Sequence, residues 1–383
     1  MDSFHEKFII REKNYHINYA ALYYARLVEL KPIVLESARR KWRETRDIRP
    51  DEICYMIGTV YIEMANKPNI LDEITKDHTE PPPPPVYKYC GDNDDIMLED
   101  GSGRISLVGD VIKNEILTTG VIMAVLGRQT SDGKFEVMDL CFADLAPQEV
   151  VHRMELDEQN YVAFISGMNI SEDSLSRLQM QMMVEYLTGE LGNLHTRQGN
   201  DNSGLNNELF SELDYIFDDI CKSTPLDLMP GANDPTNTTF PQQPIQVNLF
   251  TKAHQNSNFN CVTNPYLFLG TSGQTIDDIF RYVECDDRLL FAEKTLYWRH
   301  IAPTAPDTLF CYPFQDEDPL IINQTPHVYF IGNQKEFKTC LLKGSKNQTT
   351  RIILLPTFST TGLIVLLNLN NLDCHTISFS FKI

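Results

Sequence analysis

The sequence predicts a protein of mixed α+β and α/β class, in which N-terminal helices precede a small β-barrel and a two-sheet α/β region. Three observations predict this order. Apolar residues recur at helical spacing between residues 20 and 43, short strands rich in Val, Ile and Tyr follow up to residue 150, and strands then alternate with helices. These changes of pattern divide the chain into an N-terminal helical segment (1–45), a barrel domain (46–150) and an α/β domain (151–383).

One face of the first helical segment is apolar, with Leu22, Ala25, Leu30, Val34 and Ala38. Pro32 interrupts this pattern and predicts either two helices or one kinked helix. The basic run ARRKWR (38–43) lies in the same segment, and a solvated helix face is the expected interpretation.

The second segment contains strand patterns in EICYMIGTVYIEM, GRISLVGDVI and TTGVIMAVLGRQTSDGKFEVMDLCFADL. Ser131–Gly133 predicts a hairpin turn. Several short strands with little helix favour a barrel of the OB-fold type. Between the strands, HTEPPPPPVYKYCGDNDD predicts a solvated polyproline stretch followed by a loop.

The third segment begins with the strand candidate YVAFISGMNI. A helix follows that ends at Gly189, and its predicted apolar face comprises Leu175, Leu178, Met182 and Tyr186. A second helix, with Leu209, Leu213, Ile216 and Ile220 on one face, leads into the strand LDLMPG. Strands joined by helices imply parallel pairing. Near the C-terminus HVYFIG, RIILLP, GLIVLLNL and TISFSF predict a second, largely antiparallel sheet.

Residues 189–207, GELGNLHTRQGNDNSGLNN, are polar where a doubly wound sheet would place a strand. A missing central strand leaves neighbouring strand edges unpaired, which is costly. A splice variant, a gene-model error and a real loss remain three open explanations.

The composition is that of a globular protein with a strongly acidic balance. The 383 residues are 42% hydrophobic, and 53 acidic against 33 basic side chains give a net charge of −20. This charge repels phosphate backbones, so we expect another chain to hold any nucleic acid.

No apolar run approaches the ~20 residues that span a bilayer, and the charged N-terminus lacks a signal-peptide pattern. The nine cysteines include no Cys-x-x-Cys pair, which favours reduced, mostly buried thiols.

The stretch DLMPGANDPTNTTFPQQP raises the question of metal chemistry. In metal-dependent phosphoesterases a strand ending in Gly-Asn-His-Asp places an amide and an imidazole beside two metal ions, and here Gly231–Asp234 reads Gly-Ala-Asn-Asp. Such sites need carboxylates and imidazoles at successive strand ends, but the nine histidines are scattered singly.

The motif GTSGQTIDDIFRY (270–282) has two interpretations. It could bind a phosphate at a helix N-terminus, or it could be a helix that Thr275 caps, and the second interpretation is favoured.

A set of longer motifs resembles the small, or B, subunits of the eukaryotic replicative DNA polymerases, and among them those of polymerase delta. The motifs are LEDGSGRISLVG, DGKFEVMDLCFADLAPQ, DLMPGANDPTNTTFPQQP, VTNPY, FLGTSGQTIDDIFRY, HIAPTAPDTLFCYPF and PHVYFIGN. They occur in the family's order and cover roughly residue 20 to the end of the chain. The ordered set is specific, although each motif alone is weak.

The resemblance implies an OB domain joined to a calcineurin-like phosphoesterase domain, a two-sheet α/β sandwich that is inactive in eukaryotes. The related small subunit of the archaeal family-D polymerase keeps the metal site. Its Ser-Asp-x-His matches Ser166–Asn169, so that Gly167 and Asn169 replace the acid and the imidazole. In its Gly-Asn-His-Asp, Ala232 and Asn233 replace the central pair and Asp234 is kept. In its His-Gly-Arg-Ser, Ser272 replaces the ligand histidine. In its Gly-His-x-His, Asn333 and Lys335 replace the two histidines. The resemblance thus implies a degenerate pocket without metal or other cofactor.

By the same resemblance, we expect a non-catalytic scaffold subunit of polymerase delta, acting in the nucleus in DNA replication and repair. The implied partners are the cysteine-rich C-terminal domain of the catalytic subunit and a third subunit, which links the chain indirectly to the sliding clamp. The polymerase zeta catalytic subunit is a further implied partner, and DNA is contacted only through the complex. Two alternatives are a metal-dependent phosphodiesterase or 3′→5′ exonuclease, and an OB-fold single-stranded DNA binder.

Overall fold

The computed structural model describes residues 7–11, 18–42, 53–67, 87–150, 160–169, 174–190, 207–266 and 269–379. Two sequence-based expectations therefore fall outside the described residues: the polyproline stretch, and residues 191–206 of the segment in which a strand is predicted to be missing.

The N-terminal segment forms one continuous helix, α1, Ala20–Lys41, with Pro32 inside it. Of the two predicted alternatives, two separate helices is therefore wrong, and a single helix that contains Pro32 is observed. All five apolar residues predicted for its inner face are buried, and this burial outweighs the hydrogen bond that a proline removes from a helix. Arg26, which the sequence does not distinguish from a solvated arginine, is also fully buried.

Five strands form a closed barrel in the order β1-β2-β3-β5-β4, which confirms the expected OB-fold. The strands are β1 Cys54–Glu63, β2 Asp95–Asp100, β3 Gly103–Val108, β4 Ile122–Gln129 and β5 Phe135–Cys141, with a helical turn, α2 Asp110–Lys113, after β3. The predicted turn at Ser131–Gly133 joins β4 to β5. Strand β2 was not predicted, because three acids in DIMLED interrupt its apolar pattern.

The region after residue 160 has mixed α/β structure. Its elements are β6 Tyr161–Phe164, α3 Ser174–Leu187, α4 Asn207–Cys221, β7 Leu226–Leu228, β8 Phe259–Cys261, β9 Gly270–Thr271, α5 Gln274–Tyr282, α6 Arg288–Trp298, β10 Val328–Gln334, β11 Lys338–Lys343, β12 Thr349–Pro356, α7 Phe358–Thr361, β13 Leu363–Asn368 and β14 Cys374–Ser378. Short 3₁₀ turns span Val247–Leu249 and Ala253–Gln255.

Two of the sheets pack face to face, as the resemblance implies, but the predicted distribution of strands between them is wrong. HVYFIG and RIILLP form β10 and β12, which pair in parallel, and YVAF forms β6, which pairs antiparallel with β13. Local periodicity indicates a strand but does not select its partner.

Of these two sheets, one has the order β11-β12-β10-β9, with β9, β10 and β12 parallel and β11 antiparallel; the other is the antiparallel β14-β13-β6. The rings of Phe164 and Phe330, one from each sheet, lie 4.8 Å apart. Strands β7 and β8 form a separate parallel pair. Strand β11 was not predicted, since KTCLLK has little apolar periodicity.

Two local predictions are wrong. In α3 the residue Leu178 is 44% exposed, whereas Met180, Met183 and Val184 are buried; MQMMVEYL carries apolar residues on more than one face, and packing selects between them. Helix α5 begins after Gly273, so Thr275 lies inside the helix and does not cap it. Gly273 has the left-handed φ of 111° that glycine tolerates.

The barrel and the α/β region share one apolar core. A single cluster runs from Val60, Val125 and Phe135 in the barrel to Phe291 in α6 and Ile331 in β10. All nine cysteines are free thiols; Cys221 and Cys311 are buried and Cys54 is exposed, so fewer are fully buried than predicted. Among the described helices, none combines the length and apolarity that crossing a bilayer requires.

Candidate functional site

The ends of β6, β9 and β10 converge on one point, because parallel β9 and β10 end at the same edge of their sheet. There two residues of the predicted degenerate pocket, Ser272 and Asn333, are linked to each other and to Ser166 by hydrogen bonds of Asn333. The Asn333 backbone N–H donates to Ser166 Oγ over 2.8 Å, and Asn333 Nδ2 donates to the Ser272 carbonyl over 2.9 Å. Three of the four motifs aligned with the archaeal site thus contact one another.

Two glycines, Gly167 and Gly332, allow the motifs at the ends of β6 and β10 to approach each other closely. A Cβ added at Gly332 would lie 2.6 Å from Ser166 Oγ, and one at Gly167 would lie 2.5 Å from Asn333 Oδ1. Gly167 also has a left-handed φ of 64°. Side-chain atoms of neighbouring motifs therefore fill the space beside these glycines.

The fourth motif, Gly231–Asp234, forms an exposed turn beside the same point. Asp234 Oδ2 accepts the Gly231 N–H over 2.6 Å, so the carboxylate stabilises its own turn. A Cβ added at Gly231 would lie 3.9 Å from Asn333 Nδ2, which places the turn next to the pocket. Ala232 and Asn233 are exposed in this turn.

Neutral side chains form a hydrogen-bonded network that contacts two of the pocket motifs, at Ser272 and at Gly231. Asn264 Nδ2 lies within hydrogen-bonding distance of Gln242 Oε1 (2.7 Å) and Ser272 Oγ (2.8 Å), and Gln242 Nε2 donates to the Gly231 carbonyl over 3.0 Å. Gln274 Nε2 donates to the same Gln242 oxygen over 2.8 Å. Sequence reasoning did not assign these residues to the site, although Gln242, Asn264 and Gln274 lie inside motifs that carry the family resemblance.

Asn169 and Lys335 lie at the periphery. Asn169 is exposed, and its Nδ2 lies 3.3 Å from Ser359 Oγ. Lys335 Nζ donates to Tyr87 Oη over 2.7 Å and stands 5.7 Å from the centre of the Phe280 ring. The ammonium group is therefore directed at the stem of the β1–β2 loop, and its contacts are not with Ser272 or Asn333.

The donors at this point suit hydrogen bonding and do not suit divalent ions. The four predicted motifs contribute amides, hydroxyls and one carboxylate, that of Asp234. Metal pairs are held by several deprotonated acids and neutral imidazoles. Within the described ranges, no three His, Cys, Asp or Glu side chains are grouped closely enough to hold a metal ion. The residues present therefore do not fit the metal pair of active phosphoesterases.

Comparisons with known proteins agree with the two-part architecture. Residues 18–140 match the family described as DNA polymerase delta subunit OB-fold domain, and residues 190–339 match the B-subunit family of DNA polymerases alpha and epsilon. The chain is 37% identical to the DNA polymerase delta small subunit of Arabidopsis thaliana, with 100% of this chain and 96% of the relative covered. It is 33% identical to DNA polymerase delta subunit 2 of Drosophila melanogaster (97% and 96% covered) and 33% identical to the DNA polymerase delta small subunit of Saccharomyces cerevisiae (96% and 90% covered).

The alignment with the Arabidopsis protein runs over 424 positions, which exceeds the 383 residues of this chain. The relative therefore carries residues that have no counterpart here.

Proposed function

The chain belongs to the family of DNA polymerase delta small subunits, and from this premise we propose that it is a non-catalytic scaffold of the polymerase. It binds the cysteine-rich C-terminal domain of the catalytic subunit and, at the same time, the third subunit that reaches the sliding clamp. DNA is contacted through the assembled complex, in the nucleus, during replication and repair. The catalytic subunit of polymerase zeta is a further proposed partner of the same kind.

The observation that carries the non-catalytic part of this proposal is the hydrogen-bonded closure of the pocket. Asn333 donates hydrogen bonds to both Ser166 and Ser272, where an active phosphoesterase holds two ions about 3.5–4 Å apart between charged ligands. The remaining carboxylate, on Asp234, is engaged by the Gly231 N–H. The hydrogen bonds in the pocket therefore link the ends of β6, β9 and β10.

The charge of the chain supports a protein-binding role. A net charge of −20 disfavours association with a polyanion, whereas it leaves short-range packing with protein partners unaffected. Single-strand binders, in contrast, typically combine a basic groove with aromatic side chains on which bases stack.

Co-expression with the C-terminal domain of the catalytic subunit, followed by size-exclusion chromatography with light scattering, tests the scaffold. We expect a stable 1:1 complex. The matched control is a chain in which a strand typical of the family replaces residues 189–207. If the control binds and the natural chain does not, this form is a defective variant; if both fold and neither binds, the proposed function is wrong.

A nuclease assay tests the non-catalytic assignment separately. We expect no cleavage of single-stranded DNA above background in Mn²⁺, because the pocket lacks the charged ligands of a metal pair. The matched control is Asp234→Ala, which removes the pocket's carboxylate. Cleavage by the natural chain that disappears in this variant would overturn the assignment.

A further inference from the structure

Two strands of the α/β region, β6 and β7, each have one edge that pairs with no strand among the described residues. Strand β6 lies at one end of the sheet β14-β13-β6, and the described partner of β7 is β8 alone. Shortly after each strand a residue contacts Asn333: Ser166 Oγ accepts its backbone N–H, and a Cβ added at Gly231 would lie 3.9 Å from its Nδ2. The two strands therefore run in the same direction and end at the same residue.

The unpaired edge of β6 presents the backbone groups of Ala163. The Leu369 N–H donates to the Asn160 carbonyl over 2.9 Å, so Asn160 is a hydrogen-bonded partner of the neighbouring chain segment. In an antiparallel pair the residues that bond to the partner alternate with residues whose N–H and C=O point the other way. Counted from Asn160, the backbone groups of Ala163 point away from β13.

The unpaired edge of β7 presents the backbone groups of Asp227. The Leu226 N–H donates to the Asn258 carbonyl over 2.8 Å, and the Leu228 carbonyl accepts the Val262 N–H over 2.9 Å. Both residues that flank Asp227 thus bond towards β8. Since backbone direction alternates along a strand, the N–H and C=O of Asp227 point away from β8.

The side chains of both strands are incompletely covered. In β6, Tyr161 and Ala163 are exposed, and Val162 and Phe164 are partly buried. No side chain of the short strand β7 is fully buried, whereas β10 contains five consecutive buried residues. Parallel strands inside an α/β domain are normally covered on both faces. The exposure of apolar side chains here indicates that a neighbour is missing from the layer.

The same two apolar layers enclose both strands. On one face, Phe164 and Met229 pack against the cluster that contains Phe330 of β10. On the other face, Ile165 and Leu226 pack against the cluster to which α3 and α4 contribute. Because the strands share both layers and end at the same residue, their unpaired edges face each other. The space between these edges, the β6–β7 gap, has backbone groups along both sides and apolar side chains above and below.

The sequence between α3 and α4 is unsuited to fill this gap. Residues 191–206 read LGNLHTRQGNDNSGLN, in which the apolar residues are Leu191, Leu194 and Leu205. No two of them are adjacent or at alternate positions, and the three glycines of this stretch also disfavour a strand. An occupant with the apolar side chains that the gap requires is therefore expected from another protein.

We propose that an extended apolar segment of a partner protein binds in the β6–β7 gap as an added strand. Its backbone pairs with Ala163 on one side and with Asp227 on the other, and its side chains enter the two apolar layers in alternation. Strands covered on both faces are continuous apolar runs, and main-chain hydrogen bonds supply affinity in this mode of binding. The occupant is thus an uncharged run rich in Val and Ile, about as long as the four residues of β6. This binding does not depend on which polymerase subunits the chain bridges.

Fluorescence anisotropy with the full chain and modified peptides tests this mode of binding. The probe is fluorescein-labelled Ser-Val-Ile-Val-Val-Ser-Lys-Lys, and two further versions carry a methyl group on the backbone nitrogen of the isoleucine or of the valine that follows it. All three peptides have the same charge, and the N–H groups of adjacent residues point to opposite sides of a strand. We expect saturable binding of the unmodified peptide and a loss of about tenfold or more from either methyl group, which corresponds to about 1.4 kcal/mol. A loss from one methyl group alone indicates addition to a single edge, and it would contradict insertion between two strands.

Ala163→Pro tests the β6 side of the gap, because it removes the N–H that points into it, and proline is tolerated at strand edges. We expect about tenfold weaker binding of the unmodified peptide. The matched control is Thr376→Pro in β14, at the opposite edge of the same sheet. Thr376 is exposed, and its N–H points away from β13, since Phe379 donates to the Gly362 carbonyl and direction alternates from there. The control should change affinity by less than about twofold, and equal losses would contradict the assigned location. Melting temperatures report whether both variants fold; if Ala163→Pro does not, the methylated peptides decide.

A chain that supplies its own strand provides a competition test. The variant in which a strand typical of the family replaces residues 189–207 should not bind the peptide, because its gap is filled. Undiminished binding by this variant, or no binding of the unmodified peptide by the folded natural chain, would overturn the proposal. A dimer of the natural chain alone in light scattering would also overturn it, since a second copy would then be the occupant. Complex formation with the catalytic subunit is measured separately and reports on the scaffold function instead.

Discussion

At the scale of single residues, a buried charged network joins Arg26, His300 and Asp318. Arg26 Nε and His300 Nε2 each lie 2.8 Å from Asp318 Oδ2, with all three side chains essentially inaccessible to solvent. The Ala302 N–H donates to His300 Nδ1 over 3.2 Å, so the imidazole proton resides on Nε2 and is donated to Asp318. Burial raises the pKa of Asp318, but the charges and hydrogen bonds of its two partners outweigh burial and hold this pKa below its ordinary value.

This network predicts a pH-dependent stability. Burial, reinforced by the Arg26 charge, lowers the pKa of His300 from 6.5 to about 4. Between these values the unfolded chain binds a proton at His300 that the folded chain does not. The stability that His300 contributes is therefore fully present above pH 6.5 and is lost as the pH falls towards 4. We expect the free energy of unfolding to drop by about 2 kcal/mol between about pH 7.5 and pH 5 from this residue.

Urea unfolding at the two pH values measures this change. His300→Gln should flatten the pH dependence, whereas His375→Gln, a change at an exposed histidine, should leave it as in the natural chain. If the free energy of unfolding of the His300→Gln variant falls with pH as steeply as that of the natural chain, His300 is not the source of this pH dependence.

At the scale of elements, α6 shows how a helix start is specified. The Asp287 side chain accepts from the N–H groups of Leu289 (3.1 Å) and Leu290 (3.4 Å). An aspartate at this position satisfies donors that have no partner inside the helix and interacts favourably with the helix dipole. Helix α5 starts instead at Gly273, without a side-chain cap, and is held by packing.

Asp287→Ala should therefore lower the free energy of unfolding by about 1 kcal/mol, because two helix donors lose their acceptor. Asp287→Asn, which keeps a capping oxygen, should cost only a few tenths of that amount. Chemical denaturation of both variants compares them directly. Equal losses would mean that charge, and not capping, stabilises this helix start.

At the scale of the whole molecule, Arg26 ties three regions together. From α1 its guanidinium donates to the carbonyls of Pro303 (2.8 Å) and Ala305 (2.7 Å), and it lies 3.4 Å from the carbonyl of Gly120 beside the barrel. A Cβ added at Gly120 would stand 2.0 Å from the Pro303 carbonyl oxygen, so the backbones of the barrel and the α/β region are in direct contact.

Arg26→Met should therefore destabilise the whole chain by about 3–5 kcal/mol, since it leaves the buried charge of Asp318 without its guanidinium partner. The double variant Arg26→Met/Asp318→Asn should cost less than Arg26→Met alone, because no unpaired charge remains. Unfolding is followed by the fluorescence of the chain's two tryptophans, Trp42 at the end of α1 and Trp298 in α6. Different midpoints for single-tryptophan versions of the natural chain would show that the regions unfold separately.

Local patterns predicted those features whose cause lies in neighbouring residues. The inner face of α1, the strands β1, β4, β5 and β10, and the turn at Ser131–Gly133 follow from side-chain periodicity and turn chemistry, which act over a few residues. The family motifs mark strand ends, and on this basis the resemblance predicts that the neutral residues Ser272 and Asn333 lie in one pocket. The motif alignment did not predict that Lys335 would contact Tyr87.

The sequence by itself determined the type of most strands and helices, the acidic charge and the reduction of the aligned motifs to a single carboxylate, that of Asp234. Only the tertiary structure decided the face that α3 buries, the pairing of β2 and β11, and the support of the pocket by Gln242, Asn264 and Gln274. It also decided that Arg26 is buried against Asp318, a residue 292 positions away. Periodicity is encoded by adjacent residues, whereas the partner of a buried polar group depends on which distant segments the fold brings within hydrogen-bonding distance.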